Sequence, residues 1–121
     1  MVFTDDGRQF VTYGLGSDIG MFINYVGIGS GSGAVSADNH TLIAEVNRVE
    51  ITGSPDFTGV RTVTFQADFN SVQMSGIHLT EFGLFSAASG AGGSVWLREG
   101  FGSLVFDGTN ELQITTALQV L

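Results

Sequence analysis

The sequence predicts an all-β fold: an antiparallel β-sandwich of about seven or eight short strands with glycine-rich loops and an N-terminal arm. Three observations lead there. Residues 62–69 alternate between apolar and polar at every step, as a half-buried strand does. Glycine supplies 18 of the 121 residues and proline only one, Pro55, so turn signals recur between short runs. No apolar pattern of helical period extends beyond about two turns. A chain of this length suits a single domain over residues 1–121, large enough to bury roughly two-thirds of its unfolded surface.

The elements follow in order. MVFTDDGRQF contains an Asp-Asp-Gly turn signal and reads as an arm over residues 1–12, leading into a short strand from Gln9 to Tyr13. After the glycine-bounded GLGSDIG, residues 21–29 (MFINYVGIG) read as a mostly buried strand, and SGSGAVSADN as a flexible surface loop. Asp38 or Asn39 can cap one helical turn through Ala44. Residues 45–51 then look extended, with Val46 and Val49 inward on either side of a bend. GSPDFTG is a turn. In VRTVTFQADF, Val63, Phe65, Ala67 and Phe69 form one face. The stretch IHLTEFGLF at 77–85 is a strand, SAASGAGG a loose connection, and SVWLREGF another strand. The last strand places Leu112, Ile114, Thr116, Leu118 and Val120 on its inner face.

Charge excludes several function classes. Four arginines, no lysine and twelve acids give a net charge of -8. Clustered positive charge for a nucleic acid or an anionic membrane is missing. No run of about 18 apolar residues can span a bilayer, and no leader pattern opens the sequence. Without cysteine there is neither a disulfide framework nor a thiolate metal site.

The search for catalytic patterns returns little. Neither Ser30 nor Ser32 has the flanking glycines of a nucleophile elbow, and the glycines at 27, 29, 31 and 33 complete no dinucleotide fingerprint. They read as a flexible loop. His40 and His78 lack metal-ligand spacing. Asp5 with Asp6, and Asp107 with Glu111, read as hydrogen-bonded turns rather than calcium sites. The expectation is a non-enzyme without cofactor or metal. Trp96 alternates with Val95 and Leu97, which would leave it exposed, as a subunit contact or a sugar platform. Phe3 and Phe10 in the arm are further interface candidates.

Glu81 is the anomaly. In IHLTEFGLF, alternation puts Ile77, Leu79, Glu81, Gly83 and Phe85 on one inward face. A buried carboxylate needs a partner, and Arg48 and Arg98 are the best-placed cations within predicted strands. The expectation is a structural ion pair that locks strand register.

Five segments occur in a recognisable order. They are Tyr25-Val-Gly27-Ile-Gly29-Ser-Gly31; Asp38 followed by Leu42, Glu45, Val46 and Arg48; the alternating strand VTFQADF at 63–69; Ile77-His-Leu-Thr-Glu81-Phe-Gly83-Leu84-Phe85; and Trp96-Leu97-Arg98. This set resembles the phage tail-collar and tail-fibre group of virion structural modules in tailed viruses, over about residues 22–101. Leu79 stands where the group has isoleucine, and the group's usual lysines are absent. The resemblance implies a virion protein of the tail, collar or fibre apparatus, partnered by other virion proteins and forming a homo-oligomer, with a trimer favoured. Attachment would fall to the arm and the glycine loops at 29–37 and 86–94. A head decoration protein that stabilises the capsid is the alternative, and a carbohydrate-binding module a remoter one.

Overall fold

In the computed structural model, which describes residues 2–16, 23–59, 61–88 and 94–119, two antiparallel sheets face each other across one main core. The chain runs β1 (Val2–Phe3), α1 (Asp5–Gly16), β2 (Tyr25–Gly29), β3 (Glu45–Glu50), β4 (Asp56–Thr58), β5 (Thr62–Phe69), α2 (Ser71–Met74), β6 (His78–Phe85), β7 (Leu97–Val105) and β8 (Leu112–Gln119). The five-stranded sheet has the order β1-β7-β6-β2-β3 and the three-stranded sheet β4-β5-β8. Val26, Ile28, Leu84 and Leu97 from the first meet Phe65, Ala67, Phe69 and Ile114 from the second. The protein is an all-β sandwich.

Both clearly alternating segments behave as their patterns dictate. β5 pairs with β8 over eight consecutive positions, from Thr62 with Gln119 to Phe69 with Leu112, without a register shift. Phe65, Ala67, Phe69, Ile114 and Thr116 are buried between the sheets. β2 lies between β3 and β6, so its glycines are strand residues and not part of a flexible loop.

The N-terminal region differs most from its sequence reading. Residues 2–3 pair with β7, and the expected arm and Gln9–Tyr13 strand are replaced by a 12-residue helix. Thr4 explains the switch. Its Oγ1 accepts the Gly7 amide at 3.1 Å, a helix N-cap, and donates to the carbonyls of Val95 and Trp96. Asp5 and Asp6 then lie in the first turn, where the helix dipole favours anions. The Asp-Asp-Gly that reads as a turn is therefore a helix start. Gly7 is needed for close approach, because a Cβ there would sit 2.6 Å from the Trp96 carbonyl oxygen.

Smaller corrections have local causes. Strand pairing in 21–29 begins at Tyr25, and Met21 and Phe22 lie outside the described residues. GSPDFTG holds the short β4. Val46 is exposed, whereas Val49 packs against the core. The unanticipated α2 is set by a capping box between Asn70 and Gln73, and it buries Met74.

Glycine in a helix usually costs stability, so Gly→Ala is expected to help unless space is lacking. Gly7→Ala should instead destabilise by about 1–3 kcal/mol through overpacking against Trp96. Gly16→Ala, with open space around it, should be neutral or stabilising by about 0.5–1 kcal/mol. Urea denaturation of the two variants checks the sign difference.

Candidate functional site: a buried carboxylate under the 30–44 loop

The face to which alternate β6 side chains point changes along the strand. Leu79 pairs with Leu104 of β7, and Glu81 pairs with Gly100, so residues 101–103 oppose Thr80 alone. Across this bulge the expected common face divides. Ile77 and Leu79 belong to the main core, while Gly83 and Phe85 meet a second cluster formed by Leu42, Val95 and Phe85. The regular pairing of β2 with residues 81–85 puts Glu81 on that second side, which the 30–44 loop covers.

Glu81 and Arg98 are both fully buried, and Arg98 Nε donates to Glu81 Oε1 at 3.0 Å. The same oxygen accepts the Ile43 amide at 2.9 Å. Glu81 Oε2 accepts the amides of Gly31 at 3.0 Å and Ala44 at 2.8 Å. Each carboxylate oxygen thus takes two donors, which offsets the cost of burying the charge. Arg98 Nη1 donates to the Ala34 carbonyl and to Asn39 Oδ1, both at 3.2 Å. Its Nη2 has no hydrogen-bond partner among the described residues. The pair therefore grips both ends and the middle of the loop as well as joining β6 to β7.

The surrounding glycines make room for these groups. A Cβ on Gly29 would lie 2.5 Å from Glu81 Oε2, and one on Gly31 would lie 2.6 Å from the same atom. On Gly27 it would meet the Phe85 ring at 2.7 Å, and on Gly83 the Val95 side chain at 2.6 Å. Thr80 Oγ1 donates to the Gly31 carbonyl at 2.6 Å, and the Ser30 amide bonds the Ala44 carbonyl at 3.0 Å. Alternate glycines in YVGIGSG are a packing requirement. Their spacing alone reads as flexibility because their neighbours in space come from two distant segments, residues 42–44 and 81–85.

Arg48, the other expected partner, does not reach Glu81. It forms a two-bond pair with Glu45 three residues earlier, at 3.0 Å and 2.6 Å, and donates to the Ala87 carbonyl at 2.8 Å. Its guanidinium carbon lies 3.5 Å from the centre of the Phe85 ring, a cation–π contact. It thus closes the second cluster from the β3 side. Local geometry decides the choice, since Glu45 and Arg48 lie near each other in one short strand and need no tertiary closure.

The interface candidates fare unevenly. Trp96 is buried with Leu97 in the main core, next to the carbonyl that receives Thr4, and so offers neither a contact surface nor a sugar platform. Phe3 is half-buried and lines a cleft of about 520 Å³ between the sheets with Phe57, Val63, Leu97 and Leu118. The side chain of Phe10 lies outside the described residues. Asp107 accepts both the amide and the hydroxyl of Thr109, a closed turn. His78 is exposed.

His40 fastens the loop to α1. Its Nδ1 lies 2.6 Å from Asp6 Oδ2, its carbonyl accepts the Val95 amide, and the Asp5 amide bonds the Ala37 carbonyl. The hydrogen bond and charge of Asp6 raise the His40 pKa above its ordinary 6.5. The same bond lowers Asp6 below 3.8. His40 therefore contributes stability that is complete below 6.5 and is lost as pH rises through its raised value. Asp6 contributes stability above 3.8 that is lost as pH falls through its lowered value.

Two sets of variants test the site. Glu81→Ala strands a buried guanidinium and three amides, and should cost about 3–5 kcal/mol. Glu81→Gln, which keeps an acceptor, should cost less, and chemical denaturation orders the two. For the loop fastening, the wild type should lose melting temperature between about pH 5.5 and pH 8.5 by an amount that His40→Ala abolishes. Thermal scans of both proteins at the two pH values measure the difference.

No family model, curated protein or solved structure matches the chain.

Proposed function

We propose that the protein is a structural component of a tailed-virus particle, built into the tail, collar or fibre apparatus and acting through assembly instead of catalysis. One observation supports this reading above the rest. Four of the five segments that carry the resemblance, spread over the 73 positions from Tyr25 to Arg98, contribute residues to one buried unit, while the fifth, at 63–69, lies in β5 of the facing sheet. Gly29 and Gly31 abut Glu81, Arg98 pairs with Glu81, Leu42 packs on Phe85, and Arg48 covers the Phe85 ring. Motif members that depend on one another sterically and electrostatically support the resemblance more than independent short matches do.

The chemistry of the unit is consistent with this role. The Glu81 carboxylate is saturated by four N–H donors, which leaves it no lone pair aimed at a cavity for acid–base work. The arrangement stiffens a loop over a sheet, which suits a surface presented to neighbouring subunits.

Quantitative mass spectrometry of purified particles of the encoding virus tests the proposal. A few to a few tens of copies per particle are expected for a tail, collar or fibre part. Hundreds of copies would replace this reading with head decoration, and absence from the particle would overturn both.

A further inference from the structure

Among the described residues four strands end the two sheets, and three of them are blunted. β1 has two residues, β4 has three and includes Asp56, and β3 carries Glu45, Arg48 and Glu50 among six, with a register irregularity against β2. Short length, charge and bulges are the usual protections of a sheet edge. β8 has none of them. LQITTALQ is eight residues without a charge, a proline or a bulge, in a chain of net charge -8. It pairs with β5 on one side, and among the described residues no strand pairs with the other. Its backbone makes no further hydrogen bond to turns or loops there.

We propose that β8 is the contact between two copies of this chain, joined by antiparallel β8–β8 pairing about a two-fold axis into one six-stranded sheet. The sequence of the strand identifies a second copy as the occupant. In a continuous sheet directly opposed residues share a face, so the two-fold axis must lie midway between one residue and its own equivalent in the second copy. With the axis at Thr116, Ile114 opposes Leu118 of the second copy and Thr116 opposes its own equivalent, all on the inner face. Gln113 then opposes Gln119, and Thr115 opposes Ala117, on the outer face. Inner-face residues meet inner-face residues and uncharged outer-face residues meet uncharged ones, and the Thr–Thr and aliphatic pairs are favourable cross-strand combinations. Leu112 and Leu118, half-buried in one copy, gain cover from the other. Two highly acidic molecules can approach along this strand because it brings no charge with it.

The contact is independent of the virion reading and goes beyond it, giving a two-fold unit where the resemblance implied a trimer. Light scattering on size-exclusion eluates should give twice the 12.7 kDa protomer mass at micromolar concentrations, more completely as salt screens the acidic surfaces. The double variant Thr115→Lys with Ala117→Lys sets ammonium groups against each other across both halves of the contact, and should elute as a monomer with unchanged circular dichroism. Thr115→Lys with Ala117→Glu sets opposite charges against each other in the same register and should restore the dimer. Both sites are exposed outer-face positions, so the monomer fold is retained. A wild-type monomer at all salt concentrations, or a dimer that the lysine pair leaves intact, would overturn the proposal. Failure of the lysine–glutamate pair to restore association would overturn the register.

Discussion

Glu81 accepts three backbone amides from a loop and one bond from Arg98, and the outer layer of the larger sheet depends on that exchange. A carboxylate inside a sandwich costs free energy unless every lone pair is occupied by a fixed donor. Here the donors come from residues 31, 43, 44 and 98, so the carboxylate can be satisfied only when the loop has closed and β7 has paired with β6. Loop closure and sheet formation are therefore coupled through one side chain. The glycines at 29 and 31 belong to the same constraint, since any side chain there would occupy the space of the Glu81 carboxylate.

The bulge between β6 and β7 makes the arrangement possible. A regular ladder would keep Leu79 and Glu81 on one face, forcing either a leucine outward or a carboxylate into the apolar interior. With residues 101–103 opposing Thr80, Leu79 stays in the main core and Glu81 faces the loop. The two clusters then have distinct tasks. The larger holds the sheets together, and the smaller, built from Leu42, Phe85 and Val95 and flanked by Arg48, holds the loop down. Thr4 and the His40–Asp6 pair extend the fastening to α1, so the N-terminal helix, the loop and the β7 approach form one connected surface.

What the sequence shows of this depends on how local each cause is. Strict alternation in 62–69 and 112–119 reports burial directly, and both strands were legible. The anomaly of Glu81 was legible too, because a charge in an apolar run is visible without a structure, and so were Arg48 and Arg98 as the available cations. The choice of Arg98 over Arg48 was not, since it depends on a diagonal across paired strands and on Glu45 capturing Arg48 locally. Trp96 departs from alternation because the chain is not yet in β7 there; it is buried in the main core, next to the carbonyl that receives Thr4. The helix at Asp5–Gly16 was hidden by Gly7, whose turn propensity is overruled by the Thr4 cap and the close contact with Trp96. The bulge, a property of two strands together, leaves no trace in either one.

Amide hydrogen exchange at residues 31, 43 and 44 tests the central claim most directly. None of these three amides is in a helix or strand, and their protection in this account comes from the Glu81 carboxylate. They should exchange as slowly as the amides of β5 and β6, opening only with global unfolding. Exchange at the rate of exposed loop amides in the folded protein would contradict the account, because the carboxylate would then not be holding the loop.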